Sequence, residues 1–170
     1  MKKYLIIIFF ILNIFTFNAY SKIAYIDIKI ILNESNVGKS LNSHLNSLNS
    51  EYLKKYSKIE KELLEKEKKL LAQKNIIEKN EFNKKIRNLS AEIDKYKNDK
   101  KLSTDKLNKI KIENTKEILR ILNPIITKYV ENNDISLVLK KTNIIVGKKD
   151  LDITEKIIKL LNGQINKLNF

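Results

Sequence analysis

Acid–base, metal and phosphate chemistry each need particular side chains at particular spacings, and this 170-residue chain supplies few of them. Its one histidine, His44, stands between Leu41 and Leu45 on the outward side of a helical pattern, and reads as a solvated helix residue rather than a ligand or general base. There is no cysteine, so disulfides, an acylated N-terminal cysteine and zinc sites built from Cys and His are excluded by count. Lys149-Asp-Leu-Asp152 lacks the alternating acids and central glycine of a calcium loop. Gly38-Lys39-Ser40 has the end of a phosphate-cradling loop, but Asn33 stands where its first glycine belongs, so ATP use is not expected. Asp27 and Glu34 could be imagined as a carboxylate pair; nothing in the sequence brings them to a cleft, and capping of a strand end is the better account. No catalytic, cofactor-binding or metal-ligating residue is assigned. The chain is read as a non-enzyme.

Charge and the N-terminus narrow the partners. The sequence opens Met1-Lys2-Lys3, continues with the apolar run Tyr4 to Phe17, and offers the small-residue pattern Ala19-Tyr20-Ser21. Those are the three parts of a secretory signal, expected over residues 1–21 with cleavage after Ser21. The apolar run is shorter than the roughly 20 residues that span a bilayer, which makes an uncleaved anchor the lesser alternative. Loss of Lys2 and Lys3 leaves 32 basic against 20 acidic residues. Such an excess suits nucleic acid in the cytoplasm, but export removes that partner and leaves anionic lipid, lipopolysaccharide or acidic polypeptide. Lys, Asn and Ile also have AT-rich codons, so compositional drift competes with function as the source of the charge.

Three glycines and one proline leave little material for tight turns and favour long helices. Lys22 to Ile28 has the two-residue period of a strand, with Ala24, Ile26 and Ile28 on one face. From about Leu41 the period becomes helical: Leu41, Leu45, Leu48, Tyr52, Tyr56, Ile59, Leu63 and Leu70 form a narrow seam, and a second runs from Phe82 through Leu89, Ile93 and Tyr96 to Ile118, Leu122 and Tyr129. Lys74 to Asn80 breaks the spacing. The middle is either one helix of nearly 90 residues or an antiparallel hairpin with a turn near 74–80, and periodicity does not separate the two. Lys66, Lys100 and Ser103 occupy seam positions where apolar residues are due, which predicts thin, flexible arms. Pro124 either kinks its helix or ends it near Asn123. After the polar stop Glu131 to Asp134, Ile135–Leu139 and Ile144–Val146 read as a strand hairpin, and Asp152 with Glu155 as the capping box of a closing helix. Three strands make too small a sheet to stand alone, so self-association is expected.

These segments, taken as a set, resemble a known family. Lys22-Ile-Ala-Tyr-Ile-Asp-Ile28, Ser35 with Gly38-Lys39, Asp134-Ile-Ser-Leu-Val-Leu139, and Asp152-Ile-Thr154 before Leu160-Leu-Asn162 are similar, in order and spacing, to the Skp/OmpH family of periplasmic chaperones. The likeness spans essentially the whole mature chain, although the arms match in length and heptad character alone. Ser136 and Lys140 depart from the acids often found in the family at those places, and Ile76-Ile77 puts apolar residues near the arm tips.

The resemblance implies an α+β fold in which a small β body, completed by homo-oligomerisation into a homotrimer, carries a long antiparallel α-helical (coiled-coil) hairpin arm. It implies ATP-independent holding of unfolded outer-membrane proteins, without cofactor, in the periplasm. On that basis residues 22–40 and 125–170 are expected to form the oligomerisation body and 41–124 the arm. Ile76, Ile77, Phe82, Lys74 and Lys79 are the candidate client contacts, and Ala24, Ile26, Ile28, Leu137 and Leu139 the candidate oligomer or body core. The competing reading is a structural coiled-coil protein that spaces or tethers envelope layers.

Overall fold

The computed structural model describes residues 21–169; the expected signal, up to Tyr20, lies outside them. Strand β1 (Lys22–Ile26) is followed by helix α1 (Ile28–Glu34), helix α2 (Asn36–Ala72), helix α3 (Lys79–Asn132), strand β2 (Ile135–Lys140) and, after two short 3-10 turns, helix α4 (Thr154–Gln164). The two strands are parallel, with Ala24 opposite Val138 and Ile26 opposite Lys140. Parallel strands need a long crossover; here the whole helical excursion is that crossover.

The chain leaves β1 abruptly. Asp27, in extended conformation, accepts the Ile30 N–H at 3.1 Å and starts α1, so Ile28 is a helix residue, not the last inward position of a strand. It still packs, half-buried, against the core. Ser35 then serves twice, ending α1 through its N–H to the Ile31 carbonyl and capping α2 through Oγ, which accepts from Gly38 N–H at 3.2 Å. The two helices meet so closely that a Cβ on Gly38 would lie 2.0 Å from the Leu32 carbonyl oxygen. Gly38 thus belongs to the first turn of α2 rather than to a loop, and helical geometry begins at Asn36, ahead of the apolar seam.

The middle is a hairpin. Helix α2 ends on Gln73, and Ile76 and Ile77 N–H both donate to the Gln73 carbonyl at 3.0 and 3.2 Å, so the turn closes on backbone hydrogen bonds without glycine or proline. At 1.5 Å per residue the 37 residues of α2 and 54 of α3 extend about 55 and 80 Å. Pro124 neither ends nor restarts α3, which runs through it. The flanking Ile118, Leu122 and Ile125 are buried in the core, and their packing offsets the hydrogen bond that proline cannot donate. Asp134, at φ 51°, terminates the helix.

One core cluster joins Ala24 and Ile26 of β1, Ile31, Val37, Leu41, the Ile118 to Ile125 face of α3, and Ile153, Ile157 and Leu161 around α4. Ile135 and Val138 are the β2 residues packed on it. Leu137 and Leu139, expected in the body core or an oligomer contact, are 48% and 37% exposed in the single chain, because they lie on the opposite face of the sheet.

The expected strand at Ile144–Val146 does not form. The chain leaves β2 through the 3-10 turn Lys141–Asn143 and pairs next with β1: Asp152 bridges to Tyr25, Ile153 N–H donates to the Tyr25 carbonyl at 3.0 Å, and Asp27 N–H donates to Thr154 Oγ1 at 2.9 Å. Ile144 closes a 3-10 turn on Lys141 instead, and Ile145 is fully exposed. Nor does Asp152 complete a capping box. Its Oδ1 accepts both the N–H and the hydroxyl of Thr154, the first residue of α4, while Ile153 holds the cap position without a side-chain bond.

Two stability predictions follow from these junctions. Gly38→Ala gains roughly 1 kcal/mol of helix propensity but drives Cβ into backbone, and should lower the unfolding free energy by about 2 kcal/mol net. Gly163→Ala in α4, where nothing lies within 4 Å, should be neutral or slightly stabilising; urea unfolding of both variants checks the contrast. Burial raises the Asp152 pKa, but the hydrogen bonds from Thr154 and the charge of Lys141 outweigh it and hold the group below its ordinary 3.8. A depressed carboxylate stabilises the fold at all pH above the unfolded value and loses that contribution as pH falls through the folded one. The acid-side decline in unfolding free energy should therefore be shallower in Asp152→Asn, as a urea series taken from neutral to strongly acid pH would read.

Candidate functional site

Among the described residues no three His, Cys, Asp or Glu side chains stand together as a metal site would need. The outer part of the hairpin has its own small core: Leu63 and Leu70 of α2 close on Leu89 of α3, with Ile59, Phe82, Ile93 and Tyr96 packed against them. Between this cluster and the body core the seam turns aromatic and polar. Tyr56 is buried between Tyr52 and Tyr96, with ring centroids at 6.4 and 5.9 Å. Its hydroxyl donates to the Asp99 carbonyl at 2.8 Å and lies 2.7 Å from Ser103 Oγ.

Two of the three polar residues that looked like gaps in the seam are therefore cross-helix contacts. Ser103 meets Tyr56 and Lys66 pairs with Glu92, whereas Lys100 Nζ donates at 3.2 Å to the hydroxyl of Tyr96 one turn back on α3, which itself donates across to Glu60 at 3.1 Å. The Lys100 hydrogen bond, with the nearby charges of Tyr96 and Glu60, raises the Lys100 pKa. Exposed ion pairs add little stability; the value of Lys66–Glu92, as of the Tyr56–Ser103 and Tyr96–Glu60 hydrogen bonds, is register, since each joins one residue of α2 to one of α3. His44 is half-buried in the first part of α2.

The tip residues divide. Ile76 is 80% exposed, Ile77 half-buried, and Lys74 and Lys79 stand in solvent on either side of the turn. Phe82 packs inward against the Leu89 cluster. The five are neighbours around the turn, but only Ile76 presents its full apolar side chain outward.

A further set was missed from sequence. Leu53, Leu64 and Leu71 are exposed, and their spacings of 11 and 7 residues put them on one line of α2, about a quarter turn from the Leu63–Leu70 seam at 100° per residue. Their legible signal was a second apolar register alongside the first. On α3, Ile86, Leu102 and Ile112 are exposed as well. Single exposed leucines are ordinary; a line of them down a helix whose inner seam is already satisfied is apolar area left for something else.

The body has unfilled area too. Ile23, Leu137, Leu139 and Leu151 are exposed, and Ile23 and Leu137 are paired positions of the sheet. Among the described residues strand β2 has β1 on one side and no strand on the other, so its outer edge leaves backbone groups open to pairing beside these side chains. No helix among the described residues is long and apolar enough to cross a membrane.

This architecture can be compared with known proteins. A crystal structure from Caulobacter crescentus CB15, described as OmpH-like and assigned as an outer membrane chaperone, is similar with a TM-score of 0.80 over 89% of this chain and 90% of that one, at 18% sequence identity. Identity that low carries the fold alone. No curated protein gives a significant match. The family model for outer membrane protein (OmpH-like) matches residues 22–161, from the first residue of β1 into α4. With strand, hairpin and closing helix all inside that match, the chain belongs to the OmpH-like family.

Proposed function

We propose that the protein is an ATP-independent holdase that takes up unfolded outer-membrane proteins in the periplasm and keeps them from aggregating before insertion. The observation that supports this most directly is exposed apolar area on an arm whose own seam is complete: Ile76 at the tip and the Leu53, Leu64, Leu71 line of α2. Fully burying one such side chain contributes about 1.5–3 kcal/mol, and partial burial against a mobile client contributes less. Binding then comes from many replaceable contacts, and release requires no nucleotide. The basic surface, with Lys74 and Lys79 beside Ile76, adds long-range attraction for acidic stretches of client.

The outer face of the sheet supports a homotrimer in which copies cover Ile23, Leu137 and Leu139 and complete the edge of β2. Three arms would then enclose a client. Export rests on the N-terminal signal pattern, with cleavage after Ser21. A spacer or tether role has no observation in its favour beyond the long helices.

The decisive assay dilutes a urea-unfolded β-barrel protein into buffer with the purified mature chain and no ATP. Light scattering should stay at baseline; aggregation at several-fold excess of the chain would overturn the holdase reading. Replacing Ile76, Ile77 and Phe82 together by Ser should raise the concentration needed for half-suppression by on the order of tenfold, and L53S/L64S/L71S by a similar factor. Unchanged suppression in either variant removes that set from the client surface. Leu137→Lys with Leu139→Lys should convert the trimer to monomer by size-exclusion with light scattering, whereas a trimer that survives both lysines rules out this face.

A further inference from the structure

At the root of the arm, the ends of both strands, one face of α1 and the inner faces of α2 and α3 surround a cleft of about 500 Å³. Its floor is apolar, made by Ile26, Leu41 and Ile118, all buried. Its rim carries Lys29, Lys111 and Lys140, exposed and in no ion pair among the described residues. The one carboxylate in the lining, Asp27, is taken up by the Ile30 N–H, and a fourth lysine, Lys141, pairs with Asp152 at 3.5 Å.

The three rim lysines come from α1, α3 and β2, so the fold, not the period of one helix, gathers them on one rim. Like charges so placed repel one another unless an anion sits among them. An apolar floor beneath a cationic rim selects an anion that is also hydrophobic. The volume lies in the range of ligand sites, roughly 300–1,000 Å³, with room for a few residues of extended chain and not for a folded partner. Asn33, Asn42 and Thr142 along the wall can hydrogen-bond a peptide backbone.

We propose that this cleft is a subsite for an acidic residue flanked by apolar ones in an extended segment of client, the apolar side chains entering the floor and the carboxylate meeting the lysine rim. The proposal rests on the holdase reading and adds a sequence preference to it: arm contacts are non-selective, whereas the root favours apolar–acidic–apolar segments.

The test uses the full mature chain and two fluorescent decapeptides, identical except for a central Asp or Asn between leucines, read by anisotropy. The Asp peptide should bind about tenfold more tightly than the Asn peptide, and K29Q/K111Q/K140Q should erase that difference. Thr115→Trp, which fills the cleft from α3, should weaken both peptides, and circular dichroism should show unchanged helix content in each variant. Equal affinity for the two peptides, or a preference that survives the triple substitution, overturns the subsite. So does loss of binding to anionic phospholipid vesicles in the triple variant with peptide binding intact, which would assign the rim to a lipid surface. The aggregation assay on the unsubstituted chain keeps the two readings separate: if it suppresses aggregation while the peptides bind alike, the cleft proposal fails and the holdase reading stands.

Discussion

Everything in this molecule depends on β1 being paired on both sides by chain that arrives more than a hundred residues later. Strand β2 lies along one edge, and the segment Asp152 to Thr154 closes the other through a bridge, a backbone hydrogen bond and a buried threonine hydroxyl. Five residues of strand have no stability alone. They are held because the hairpin, having gone out along α2, comes back along α3 and delivers both partners to the starting point. The body is therefore the consequence of the arm as much as its support.

That dependence explains where packing is dense and where it is spare. At the root, the Ile118 to Ile125 face of α3 is buried on β1, α1, α2 and α4, tightly enough to carry Pro124 inside a continuous helix. Further out only two helices are present, so a narrow seam is all that can be buried, and the rest of each helix faces water. Tyr56, Tyr96 and Ser103 mark the change between these regimes. Aromatic rings there preserve apolar contact, while hydroxyls and the Lys66–Glu92 pair fix which residue of α2 faces which of α3. The apolar side chains left over, on the arm and on the outer sheet face, are the area on which the proposed client and oligomer contacts draw.

Much of this was written in local pattern. The helical seams, the break in spacing at Lys74 to Asn80 and the polar stop from Glu131 to Asp134 follow from side-chain period and composition, which neighbours in sequence decide among themselves; that the break is a hairpin turn and that Phe82, a candidate client contact, packs inward did not. The absence of cysteine and of any recognisable catalytic grouping bounded the chemistry equally early. The start of α2 was less legible, because Ser35 and Gly38 look like loop residues until the contact with Leu32 shows why a glycine must stand inside a helix.

What only the tertiary structure decided is pairing. Ile28 and Ile26 share a two-residue period, yet the Asp27 cap turns Ile28 into a helix. Ile144–Val146 has strand composition, but the chain leaves β2 through a 3-10 turn and pairs next, at Asp152, with β1. Leu137 and Leu139 have the alternation of core residues and lie on the uncovered face, while Ile135 and Val138 go inward. In a helix the hydrogen-bond partner is four residues away and the sequence by itself determines it. In a strand the partner is wherever the rest of the fold delivers it, and both the pairing and the buried face are set there.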